Sequence, residues 1–456
     1  MKKRLAVLLA VSMLLLTACE QAPAEEKEKE LPDQTSKSES IKPFAPTATM
    51  EETVLVDENA VKITATGIKY TAYAVKLELT IENNSAKNLS FVAGSLGYSC
   101  NSINGYMVTS GYLNADVAAG KKAVETVSFD VSELMMLGLT EIADIEIGFM
   151  ITDDAYHDYL KTGPRQVKTS AADSYDYGQD TYREAITNQA IAKAVGFTVD
   201  YDTREESFQQ AGIRMVSQTL ITNASDEQVL LVEAENTSSD PLYVSVGDVS
   251  INGLGVQSGL WSTHWISAGK RGIITLNLSS MLDQNSRETF GLEEIGTVAY
   301  SLEVKDSDLD ALILPQKITL SIGRGTESYD ASGQELYQED DIRIVSKGLV
   351  PDASDYSDDI HLLLLVENSS AARLGFDIKN DSISVNGYMS DFISYIKWVE
   401  PGSSAVLDVS LNGLEENGIS APEDITEIEL VVEVKNEAYR TITEPMVTFD
   451  PTLSAS

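Results

Sequence analysis

The side chains able to do chemistry in this chain are few and scattered. Its three histidines, His157, His264 and His361, fall in a loop, a hairpin region and a strand start, and no two have the spacing of a zinc pair. No Gly-x-Ser-x-Gly elbow, phosphate-binding glycine loop or Cys-His arrangement matches a nucleophile to a base, so no catalytic residue and no enzymatic activity is expected. Carboxylates are abundant, and three clusters invite a hard cation. Asp306-x-Asp308-x-Asp310 has the 1-3-5 spacing of a calcium loop, but Ala311 stands where glycine is needed and Lys317 where a bidentate glutamate belongs. Asp352, Asp355, Asp358 and Asp359 form a second acidic stretch, and Asp153-Asp154 a third. Structural calcium is the one cofactor these patterns allow, with solvated acidic turns as the other reading. Trp261 and the hairpin residues Tyr106 and Tyr388, if exposed, would stack on sugar rings or dock a protein; edge-strand packing is the alternative. Trp265 and Trp398, each four residues before a glycine turn, read as core-directed. Cys100 reads as a small buried hydrophobe.

These residues sit in a chain of 456 with 33 Lys+Arg, 71 Asp+Glu and a net charge of −38. A phosphate backbone needs a basic face, so nucleic acid is excluded as a partner. Hydrophobic residues make up 43%, enough to bury cores along most of the chain. The charge is uneven, and residues 334–456 carry −17 of it, which makes the C-terminal part the place to meet a cationic partner or divalent ions.

At the N-terminus, Lys2, Lys3 and Arg4 precede an apolar stretch from Leu5 to Leu16, as in a secretory signal. A membrane span takes about 20 such residues, so this one is too short. The stretch ends in Leu16-Thr17-Ala18-Cys19, which resembles the lipobox of bacterial lipoproteins. The resemblance implies that residues 1–18 are a signal peptide and that Cys19, as the mature N-terminus, is acylated. Two acyl chains anchor stably where one is marginal. Residues 19–50, which include EEKEKE at Glu25 to Glu30, lack the large apolar residues needed to fold and read as a flexible tether. The expected location is the extracytoplasmic face of the cell membrane, held by lipid.

Beyond residue 50 the sequence repeats. Ile81-Glu82-Asn83-Asn84-Ser85 recurs as Ala234-Glu235-Asn236-Thr237-Ser238 and as Val366-Glu367-Asn368-Ser369-Ser370. Turn signals follow at Asn104-Gly105, Asn252-Gly253 and Asn386-Gly387, then at Gly120, Gly269 and Gly402. Between turns the apolar residues alternate, as in Val75, Leu77, Leu79 and Ile81, which predicts strands with one face in a core. Short strands, polar on one face and bounded by Gly, Asn and Pro, favour antiparallel sheets.

The expected fold is all-β: three tandem antiparallel sandwiches over 51–170, 207–323 and 334–452. A segment at 171–206 separates the first two. There Thr181-x-x-Glu184 resembles a capping box, a helical stretch runs to about Val195 and Gly196 stops it, the whole reading as a linker packing beside the second sandwich, with a lid or docking element as the alternative. The strand ending in Glu-Asn-x-Ser, the Asn-Gly hairpin and the Gly-led strand are similar to the immunoglobulin-like domains of bacterial surface lipoproteins. No repeat has the Cys…Trp…Cys arrangement of antibody domains. These features imply binding or scaffolding in the cell envelope, toward a protein or a glycan. The alternative is an accessory lipoprotein of transport or sensing that captures a small solute or divalent cation.

Overall fold

Val75, Leu77, Leu79 and Ile81 alternate with Lys76, Glu78, Thr80 and Glu82. In the computed structural model this run is the strand Ala74–Asn83, with all four apolar side chains at 0% exposure. The structure describes residues 44–94, 100–323, 327–352 and 359–452. Ala74–Asn83 pairs antiparallel with Val61–Tyr70 on one side and Lys121–Asp130 on the other, and Thr53–Glu58 completes the sheet. Across the core lies a second sheet of Leu89–Ala93, Leu113–Val117, Met150–Asp153 and Asp158–Lys161, whose Phe91, Leu113 and Ile151 meet the inner face of the first. The chain is all-β and sandwich-like, and among the described residues helix is confined to short connections.

The repeated motifs are hydrogen-bonded corners. The Asn83 amide donates to the carbonyls of Lys87 and Val117 at 2.8 Å each, and its Oδ1 accepts from Ser85 N at 3.0 Å and Ser85 Oγ at 2.6 Å. Asn236 makes the same set with Asp240, Ile266 and Ser238, and Asn368 with Ala372, Val399 and Ser370. All three side chains are buried. The hairpin asparagines 104, 252 and 386 sit at φ of 50°, 51° and 50°, left-handed values that asparagine tolerates. Their amides donate to the carbonyls of Glu141, Glu294 and Asp424.

Antiparallel ladders dominate, but two parallel contacts depart from the expected pattern, and they join one repeat to the next. Tyr106–Met107, the second arm of the first hairpin, lies parallel to Arg271–Asn277, with Tyr106 opposite Arg271 and Arg271 N donating to Gly105 O at 2.9 Å. In the second hairpin, Leu254 and Gly255 lie parallel to Ser404 and Ala405 of Ser403–Asn412. The sheets therefore run on through these junctions. In Gln228–Asn236, Val229 and Leu231 belong to the first core cluster and Leu230, Val232 and Ala234 to the second. In Ile360–Asn368, Leu363 and Leu365 belong to the second cluster and Leu362, Leu364 and Val366 to the third. Where a strand has a core on each face it has no polar side, which accounts for the apolar runs Val229–Val232 and Leu362–Val366 within these two.

Residues 171–206 do more than flank the second repeat. Phe197–Thr203 pairs with Ile213–Asn223, but the helical part buries Tyr182 and Ile186 in the first core cluster. The Thr181–Glu184 capping box does not form; the N-cap lies one residue earlier. Asp180, not Thr181, is the N-cap, its Oδ1 accepting from Arg183 N, while Thr181 Oγ1 donates to Leu137 O at 2.8 Å. Two helices form instead of one, Thr181–Ile186 and Gln189–Val195, because Asn188 Oδ1 accepts from Ala190 N and Ile191 N and opens a second N-terminus. Gly196, at φ 88°, ends the second helix as expected.

Candidate functional site

The acidic clusters are occupied by the chain's own donors. Asp306 Oδ1 accepts from Asp308 N at 2.9 Å and Asp310 N at 3.0 Å, so the 1-3-5 spacing closes an ordinary turn. Asp153 Oδ2 is 2.8 Å from Lys87 Nζ, and Asn88 Nδ2 donates to Asp154 at 3.0 Å. Asp352 lies beside His361, Oδ2 to Nε2 3.6 Å, while His361 Nδ1 is 2.8 Å from Asp408 Oδ1. The bond to Asp408, with Asp352 adding its charge, outweighs burial and raises the His361 pKa to about 9. Asp355, Asp358 and Cys19 lie outside the described residues. Among the described residues no three His, Cys, Asp or Glu side chains converge as metal ligands.

The aromatic candidates separate. Tyr106 is not exposed: it is 4% accessible, beneath the segment whose Tyr182 N donates to its hydroxyl at 3.5 Å. Trp261 packs against the second core cluster, because the ladder pairs Ser262 with Val246 and Leu260 with Gly247 and so skips it in a bulge. Trp265 and Trp398 are not core residues. Each is half-buried on the outer side, Trp265 edge-on to Tyr243 at 5.0 Å and Trp398 edge-on to Tyr439 at 5.3 Å, while the next residues, Ile266 and Val399, enter the cores. Cys100 is buried, as its type suggests.

Tyr388 is 57% exposed, and it has company that sequence reasoning missed: Met389 at 62%, Ile393 at 53% and Tyr395 at 79%. These residues occupy the short arm Tyr388–Met389, the edge strand Asp391–Ser394 and the loop after it. The available signal was the alternation of Ile393 and Tyr395 at the edge of a sheet.

A second unforeseen feature is a buried charge cluster at the first junction. The Glu233 side chain has no exposure, Arg271 Nη1 lies 3.0 Å from its Oε1 and 3.4 Å from Asp180 Oδ1, and Ser217 Oγ donates to Glu233 Oε2 at 2.8 Å. Burial pushes the Glu233 carboxyl up, opposed by Ser217 and Arg271. Nearby, Arg183 pairs with Asp202 and Lys270 Nζ reaches Glu146 Oε1 at 2.8 Å. Each charge already has its partner, so the cluster is suited to holding two repeats at one angle. The second junction is linked by Arg373 to Asp248 at 3.1 Å and by Lys397 Nζ donating to Val256 O at 3.1 Å.

No protein-family model and no curated protein matches the chain. Among solved structures it is similar to a protein of unknown function from Porphyromonas gingivalis W83, at 14% identity over 49% of this chain and 91% of that one, with a TM-score of 0.14. The YadV chaperone gives 14% over 49% and 94% at 0.16, and a 1.5-MDa bacterial ice-binding adhesin 13% over 82% and 90% at 0.13. Scores this low carry no inference about role.

Proposed function

We propose that the chain is a lipid-anchored binding or scaffolding protein of the bacterial cell envelope, built of three immunoglobulin-like sandwiches, non-catalytic and acting on the extracytoplasmic side. One observation carries the reading: Tyr388, Met389, Ile393 and Tyr395, all more than half exposed, fall within eight consecutive residues of the repeat farthest in sequence from Cys19, on the end arm of one sheet, the edge strand of another and the loop after it. Large apolar side chains gathered in water mark a surface that a partner covers, because covering them recovers hydrophobic free energy. The tyrosines add ring faces and hydroxyls that suit a protein or a glycan. The hydrogen-bonded junctions support the scaffold part, since a continuous sheet resists bending where a loose linker does not.

Photo-crosslinking groups placed at 388 and 395 in intact envelopes test the binding surface. A discrete adduct is expected, lost on Met389→Ser with Ile393→Ser; no adduct from either position would sink this part. Acyl labelling and fractionation of a Cys19→Ser variant test the anchor. Label and membrane association should vanish together, and full membrane association without Cys19 would overturn it.

A further inference from the structure

We propose that the two bare ends of the repeat array bind each other, so that chains associate head to tail by reproducing their own first junction. This rests on reading the C-terminal edge as a binding surface, and it names the occupant as a second copy of the chain.

Both internal junctions use one contact. The second arm of an Asn-Gly hairpin lies along the edge strand that follows a glycine turn, Tyr106 against Arg271 after Gly269 and Leu254 against Ser404 after Gly402. Each half of this contact also stands at one end of the array. The arm Tyr388–Met389 ends its sheet, and Lys121–Asp130, which follows Gly120, is the edge of the first four-stranded sheet. The shared register would place Tyr388 of one chain opposite Lys122 of the next.

The side chains match as well. Lys270 and Glu146 clamp the first junction at 2.8 Å. Glu146 stands opposite Ser102 in its ladder, and Glu429 holds the same place opposite Ser384. Lys270 follows Gly269 as Lys121 follows Gly120. At the second junction both charges are gone: Ala299 is opposite Ser250, and Ser403 follows Gly402. The lysine and the glutamate are thus present together at one internal junction, absent together at the other, and exposed singly at the two ends. Met107 fits the same pattern, its Cγ 3.7 Å from where a Cβ on Gly272 would lie. Met389 takes the place of Met107, and the seat of Gly272 is a small residue in every repeat, Ala405 in the third and Ala123 in the first.

The surrounding surfaces differ from the internal junctions in a way that sets the strength. On the outer face of the first sheet Lys69, Lys76 and Glu78 stand where the second repeat has Ile221, Val229 and Leu231, whereas Lys62, Glu82 and Lys122 recur there as Arg214, Glu235 and Arg271, and the last hairpin is ringed by Asp391, Glu423, Asp424, Glu427 and Glu429. Asp57 stands opposite Lys62, and the edge strand Lys121–Asp130 holds Glu125 and Asp130 as well as Lys121 and Lys122, so the first end mixes both signs while the last hairpin is acidic. Exposed charges are screened over about 8 Å at physiological salt, so the contact is reversible and salt-sensitive. Because the two surfaces are different, it generates open or closed runs of subunits. Edge lysines also serve to prevent pairing, and that use predicts no association.

Sedimentation velocity of the full chain in detergent, over a concentration series at low and high salt, separates the two. Expected is a mass that grows with concentration at low salt and falls to one chain at high salt. Lys121→Glu and Glu429→Lys should each weaken association by about tenfold, as loss of a close charge pair does, and the double variant, or a mixture of the two, should regain it. A single chain at every concentration, or association indifferent to both substitutions, overturns the inference. A foreign adduct at 388 without self-association overturns it too, and leaves the proposed function standing.

Discussion

Arg271 Nη1 lies 3.0 Å from Oε1 of Glu233, a carboxylate fully removed from water, at the place where the first hairpin meets the second repeat. The arginine serves twice there. Its side chain compensates the buried charge, and its backbone N–H, donating to Gly105 O at 2.9 Å, continues the sheet.

Removing one member of such a pair leaves an uncompensated buried charge. Arg271→Met is expected to cost about 3–5 kcal/mol in denaturant unfolding, and Glu233→Leu added to it should restore most of the loss. A single-variant loss near zero would show that Glu233 is neutral in the folded chain.

Asn368→Ala removes donors to the Ala372 and Val399 carbonyls, at 2.8 and 2.9 Å, and the acceptor of Ser370. Buried carbonyls left unpaired make this cost about 2–4 kcal/mol in unfolding free energy. Asn83→Ala and Asn236→Ala should behave alike, since their partners are equivalent.

His361 has its pKa raised from 6.5 to about 9 by Asp408 and Asp352. The folded state holds its proton more tightly than the unfolded state, so the gain is fully present below pH 6.5 and is lost as pH rises through about 9. In thermal melts, His361→Gln should lower the melting temperature most below pH 6.5 and approach the unsubstituted chain as pH passes 9.

His264 behaves oppositely. Burial lowers its pKa from 6.5 to about 4, and its Nε2 lies 3.1 Å from Ser262 Oγ. The unfolded chain takes up the proton first, so the stability held above pH 6.5 declines as pH falls toward 4. Compared over that interval, His264→Asn should lose less stability than the unsubstituted chain, and equal slopes would contradict the burial argument.

Much of the repeat was legible because its chemistry is local. Asn83, Asn236 and Asn368 bond to residues two and four positions on, so the motif and its contacts recur together. The junctions were legible only in hindsight, through the runs Val229–Val232 and Leu362–Val366 that break the alternation seen from Val75 to Ile81. The acidic loops misled for a related reason: spacing along the chain does not reveal whether a carboxylate is already held by its own backbone, as Asp306 is.

Tyr106 and Tyr388 draw the line between sequence and structure most sharply. Both follow an Asn-Gly turn and precede a methionine, yet one is 4% exposed and the other 57%. From the sequence alone follow the strands, the turns and the repeated corners, since each depends on residues a few positions apart and on the alternation of apolar side chains. Which hairpin is covered and which faces water, and that Glu233, Arg271 and Asp180 share one buried site, depended on contacts far apart in sequence, Arg271 with Asp180 across 91 positions and Arg271 with Gly105 across still more. Burial is a property of what packs alongside, and no local spacing encodes it.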